Sequence, residues 1–147
     1  MTSWRDAVSA EAQRELDALL TGVLPFARQQ LDAHGAFFPY GMIVGHDREG
    51  RLVSAWDGDG DEAPAAPELL ELLYIGVQQQ AGDLRAAAFV AQVVVDGSDA
   101  IRVELEHREG AAIAVLLPYA GAEPGGGGVE YGELSAGPGE HQVWPSS

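Results

Sequence analysis

Ile101, Val103, Leu105 and His107 alternate with Arg102, Glu104, Glu106 and Arg108 without interruption. A period of two held over eight residues suits an extended strand, whose successive side chains point to opposite faces of a sheet. This segment is the middle of a longer pattern from Leu84 to Tyr119, in which the apolar runs LRAAAFVAQVVV, AIRVELEH and AAIAVLLPY are separated by DGSD and REG. Asp96-Gly97 and Arg108-Glu109-Gly110 are residue types that chain reversals favour. The pattern predicts a three-stranded β-meander with one apolar face to pack and one charged face turned to water or to a partner.

The chain before the meander supplies its cover. Val8, Ala12, Leu16, Leu19, Leu20, Val23, Ala27 and Leu31 recur at helical spacing, with Glu11, Arg14, Glu15 and Asp17 turned away. Ser3 and Ser9 are both N-cap candidates, Pro25 lies inside the pattern, and Gly35 follows His34 as a stop signal. Phe37 to His46 reads as a strand with Pro39 near its start. A turn over Asp47-Arg48-Glu49-Gly50, with Gly50 available for positive φ, returns the chain as a strand from Leu52 to Trp56. A second helix from Glu68 to Gln80 groups Leu69, Leu72, Leu73, Gly76 and Val77 on one face, where Gly76 permits close approach to the sheet.

The element order is therefore α-β-β-α-β-β-β, an α+β fold with an antiparallel sheet of five strands or slightly more and helices packed on it. A length of 147 residues fits one domain spanning 1–147. The GAEPGGGG composition marks 121–128 as a flexible loop. Val129 to Leu134 and His141 to Trp144 are expected as short edge strands or a tail on the core, anchored by Tyr131 and Trp144.

Composition removes several function classes. There is no Cys, which excludes disulfides, thiolate metal sites and cysteine nucleophiles and suits a reducing cytoplasm. The formal net charge is −15, a field that repels nucleic acid and anionic membrane surfaces and favours basic protein partners. No signal-like or membrane-length apolar run is present, so a cytoplasmic location is expected. All eight basic residues are Arg, and both Lys and Asn are missing, as GC-rich coding would produce.

Asp57, Asp59 and Asp61 stand at positions 1, 3 and 5 of a calcium-type loop, with Glu68 at position 12. Glu62 occupies the position that needs Gly and Pro64 one that is normally apolar, so a solvated acidic loop is the stronger reading. His107-Arg108-Glu109 has the spacing of a zinc deaminase H-x-E, but its partner motif requires Cys. Glu104, Glu106 and His107 are acid–base candidates. Glu104 and Glu106 nevertheless share a strand face with Arg102 and Arg108, as cross-strand charge pairing on a solvated sheet requires. Phe37, Phe38, Tyr40 and Phe89 are candidates for an apolar ligand pocket. No catalytic residue, metal or cofactor is assigned. The interaction candidates are Arg102, Glu104, Glu106 and Arg108.

At HGAFFPYGMIV, SDAIRVELEHREGAAIAVLLPYA and VEYGEL the chain resembles small bacterial α+β domains of unknown function. The element order is also similar to roadblock and profilin-like domains, an architecture in which a five-stranded antiparallel sheet carries helices. That resemblance implies an interaction platform and a homodimer. The expectation is a non-enzymatic protein-interaction domain, including an acidic inhibitor or immunity-type protein that binds a basic partner. The alternatives are a metal-assisted or acid–base enzyme and a small-molecule-binding domain.

Overall fold

In the computed structural model, residues 9–35, 37–54, 66–121 and 129–144 are described. Among these residues two helices, α1 (Ala10–His34) and α2 (Ala66–Gln78), accompany seven strands: β1 (Tyr40–Gly45), β2 (Gly50–Ser54), β3 (Leu84–Val95), β4 (Ser98–His107), β5 (Ala112–Ala120), β6 (Glu130–Tyr131) and β7 (Ser135–Pro138). A single 3-10 turn, Ala81–Asp83, leads from α2 into β3. The sheet is antiparallel in the order β2-β1-β3-β4-β5, and both β6 and β7 pair with β5 along its outer side. The α+β expectation holds, with two short strands added at one edge.

The helices lie on opposite faces because neighbouring strand residues alternate. Val44, Ala86, Ala88, Val90, Ile101, Val103 and Leu105 join Leu16, Leu19, Val23, Ala27 and Leu31 of α1 in one core. Their sequence neighbours Ile43, Ala87 and Phe89 join Leu73 and Val77 of α2 in a second. Full burial of Leu16, Leu19 and Leu31 contributes about 1.5–3 kcal/mol each, so α1 supplies the larger part of the helix-to-sheet adhesion. Ser9 caps α1 by accepting the Ala12 N–H at 3.1 Å. Gly35 closes it in the left-handed conformation, φ 73°, with its N–H on the Leu31 carbonyl.

Several local expectations are corrected. The first turn takes its positive φ at Arg48 (66°), not at Gly50, which already belongs to β2. Gly76 makes no close approach, since a Cβ added there would meet nothing within 4 Å. The glycine that closeness does require is Gly41, where a Cβ would stand 2.5 Å from the Ala88 carbonyl oxygen of β3. Leu72 is 51% exposed because α2 presents only Leu69, Leu73 and Val77 squarely to the sheet. Asp96 and Gly97 both have positive φ, the backbone that lets a two-residue hairpin follow the twist of β3 and β4. The glycine-rich loop expected at 121–128, apart from Gly121, and the strand end expected at Trp56 lie outside the described residues.

Candidate functional site

The alternation in β4 places its two sets of side chains in two separate polar clusters, one on each face. On the α1 side, His107 is completely buried. Its Nδ1 accepts the Glu109 backbone N–H at 3.1 Å, which leaves the ring proton on Nε2, 3.3 Å from a Glu15 oxygen. Glu15 is gripped from the other direction by Arg85, whose Nε and second guanidinium nitrogen reach it at 3.0 and 2.7 Å. Burial pushes the Glu15 carboxyl up. Arg85 and His107 outweigh that and hold it below the usual carboxylate range.

Around this centre Glu11 pairs with Arg48, and Glu109 accepts both the backbone N–H and the hydroxyl of Ser9. Those bonds from Ser9 lower the Glu109 carboxyl in turn. The cluster thus joins the first turns of α1 to the start of β3, the β4–β5 turn and the β1–β2 turn. Beside it a cleft of about 180 Å³ is lined by Glu15, Ala18, Leu19, Met42, Val44, Arg48 and Gly50.

On the α2 side, Glu104 and Glu106 are 5% and 2% exposed. The face predicted to meet water is covered. Glu104 accepts from the Tyr74 hydroxyl of α2 and from Arg102 two residues earlier on the same strand. Burial, and then the Glu104 hydrogen bond, push the Tyr74 phenol up. Glu106 accepts three successive backbone N–H groups, from Gln142 at 2.7 Å, Val143 at 3.0 Å and Trp144 at 2.6 Å. Val143 is buried in the α2-side core, the Trp144 indole N–H donates to the Ala81 carbonyl at 3.3 Å, and the Gln78 amide holds the Gln142 carbonyl. The segment expected as an edge strand or tail is therefore a strap across β4.

The four interaction candidates do not form one open surface. Glu104 and Glu106 lie beneath α2 and the strap, Arg102 is partly covered, and Arg108 projects from the turn after β4, beside His46 at 3.2 Å. Glu106 pairs with backbone donors where an arginine partner was expected. His107, an acid–base candidate together with Glu104 and Glu106, faces the opposite side of the sheet from both. The expected apolar pocket is also divided, since Tyr40 belongs to the α1-side core and Phe89 to the α2-side core. Asp57, Asp59 and Asp61 lie outside the described residues, and Glu68 is exposed in the first turn of α2. Among the described residues no group of three or more potential metal ligands converges.

Glu15 and Arg85 were missed as partners. The helical pattern turns Glu15 away from the sheet, yet only 11% of its side chain is exposed. A signal was present in β3, where Arg85 is the one charged residue in the run from Leu84 to Val95. A lone charge in an apolar strand calls for a buried counter-charge.

Chemically, the carboxylates of both clusters accept from other parts of the same chain, while Glu15 also borders the cleft and the buried His141 Nδ1 stands 3.9 Å from Glu106. No helix among the described residues is long and apolar enough to cross a membrane. In comparisons with known proteins no family model matches the chain, and no curated protein or solved structure shows a significant match.

Proposed function

We propose that this chain is a non-enzymatic, cytoplasmic protein-interaction domain whose partner is a basic protein, in the manner of an acidic inhibitor or immunity-type protein. The observation that supports this reading best is the use made of the buried ionisable side chains. Glu15, Glu104, Glu106 and His107 each fasten a helix, a turn or the strap to the sheet. Glu15 alone of the four borders the cleft, whose lining of Ala18, Leu19, Met42, Val44, Arg48 and Gly50 carries no nucleophile.

The remaining acids bear the interaction. With Glu104 and Glu106 turned inward, the outer face of α2 carries Glu68 and Glu71 beside Leu72 and Ile75, and that helix contains no basic residue. A field from a net charge of −15 accelerates encounter with a positive surface and disfavours nucleic acid.

The test is affinity capture from the source cell at low and high salt, followed by titration of the purified partner. A basic protein should be retained at low salt, with affinity falling several-fold or more as salt rises. Equal binding at both ionic strengths would overturn the electrostatic reading. Turnover of a small substrate that is lost in Glu15→Gln would overturn the non-enzymatic one.

A further inference from the structure

Resting on the basic-partner reading above, we infer that the element of the partner that meets this chain is an amphipathic α-helix. It lies along the outer face of α2, with its apolar stripe on Leu72 and Ile75 and its Lys or Arg residues beside Glu68 and Glu71.

The two sides of α2 differ. Leu69, Leu73 and Val77 are buried against the sheet, and Leu70 and Tyr74 pack beside them. On the side turned from the sheet, Leu72 and Ile75 are 51% and 43% exposed. They lie between exposed Glu68 and exposed Gln79, whose N–H still reaches the Ile75 carbonyl at 3.1 Å and so continues the helical turn. Spacings of four, three and four residues from Glu68 through Leu72 and Ile75 to Gln79 draw one stripe along the helix. A second helix interlocks with a stripe of that spacing, whereas an extended peptide needs a sheet edge to pair with.

Gly76 adds a second sign. Glycine is unfavourable inside a helix, and nothing within the chain requires this one, since a Cβ added there would meet nothing within 4 Å. It leaves bare backbone next to Leu72 and Ile75, where a crossing helix comes closer than it could against a side chain.

Charge says what kind of helix fits. Asp57, Asp59, Asp61, Glu62, Glu68, Glu71 and Asp83 fall between Ala55 and Leu84, a stretch of sequence without a basic residue. Against them, the strands set Arg51 and Arg102 on the α2 side of the sheet, and Arg102 is already paired with Glu104. A second copy of the chain would set acids against acids. Nucleic acid is repelled and offers no apolar stripe to Leu72 and Ile75. A helix that flanks an apolar stripe with Lys or Arg satisfies both the field and the two exposed side chains.

Two synthetic peptides of about 15 residues, added to the full chain, test this. One has Leu recurring at three- and four-residue spacing with Lys and Arg on either side; the other contains the same residues scrambled. At about 20 mM salt the striped peptide should bind about tenfold or more tighter than the scrambled one, gain helical circular dichroism on binding, and shift the amide resonances of 68–79. Combining Leu72→Gln with Ile75→Gln should erase the preference, and Gly76→Gln should weaken the striped peptide several-fold, with the circular dichroism spectra of both variants unchanged. Equal binding of the two peptides, or resonance shifts away from 68–79, overturns helical docking. So does a striped peptide that fails to bind, or one that binds the Gln variants as tightly as the wild type. None of these results alters the salt dependence of the captured basic protein, by which the reading above stands or falls.

Discussion

The two faces of the sheet bury carboxylates by different means. Beneath α1, Glu15 is neutralised by a guanidinium and an imidazole, side-chain partners that come from β3 and β4. Beneath α2, Glu106 is satisfied by three backbone N–H groups of a strap 36 to 38 residues away in sequence. The first arrangement orients one helix and draws on charge. The second converts an irregular segment into part of the core, because consecutive N–H groups in a non-helical stretch would otherwise be buried without acceptors.

The largest test of this contrast is Glu106→Ala. It deprives three buried or half-buried N–H groups of their acceptor and should cost about 3–5 kcal/mol in chemical denaturation. Hydrogen exchange at 142–144 should rise to that of an exposed segment while α1 keeps its protection. Arg85→Ala comes next, at about 2–3 kcal/mol, since it leaves the Glu15 carboxylate largely buried with only His107 beside it. A double-mutant cycle with Glu15→Ala should recover much of that loss. Loss of the same size in the double variant would mean that Arg85 acts through packing alone.

Tyr74→Phe removes one donor from Glu104 while keeping the ring stacked edge-on to Phe89 at 4.7 Å, so about 1 kcal/mol is expected. The smallest effect is in the pH profile. The carboxyls of Glu15 and Glu109 titrate below their ordinary value of 4.5 in the folded chain, so the unfolded chain binds more protons near that pH. Their contribution is complete above 4.5 and is lost as pH falls through the lowered folded values. Unfolding free energy should thus decline on acidification, and Glu15→Gln should make the decline shallower. An unchanged slope would place the acid sensitivity elsewhere.

What could be read in the sequence followed from side-chain periodicity. The alternation of β4, the stripe from Ala12 to Leu31 and the Asp96-Gly97 turn each follow from a local rule, and each stands where expected. The cover over Glu104 and Glu106 did not follow, because their partners leave little trace in a residue pattern. Glu106 binds backbone donors, which every residue but proline carries, and the 36-residue separation hides the pairing. Position misled for Glu15 as well: it lies at the border of the helical stripe, and only the isolated Arg85 in an apolar strand hinted at its role. The placement of Tyr40 and Phe89 on opposite faces depends on strand registers fixed by β1 pairing with β3, which sequence spacing did not supply.

The strap also bears on how the chain is made. Synthesis runs from the amino end, so the whole meander has been joined before Gln142, Val143 and Trp144 are added. Until they arrive, Glu106 faces an uncovered apolar sheet and must keep its water, which holds that side of β4 open. The α1 side draws on the β4–β5 turn and β5, with Val129 and Tyr131 packed against it, and on none of the three strap amides, so it is free to settle earlier. The last residues therefore complete the fold: a released chain truncated before residue 142 should remain protease-sensitive over α2 and β4, whereas one that extends through Trp144 should be resistant.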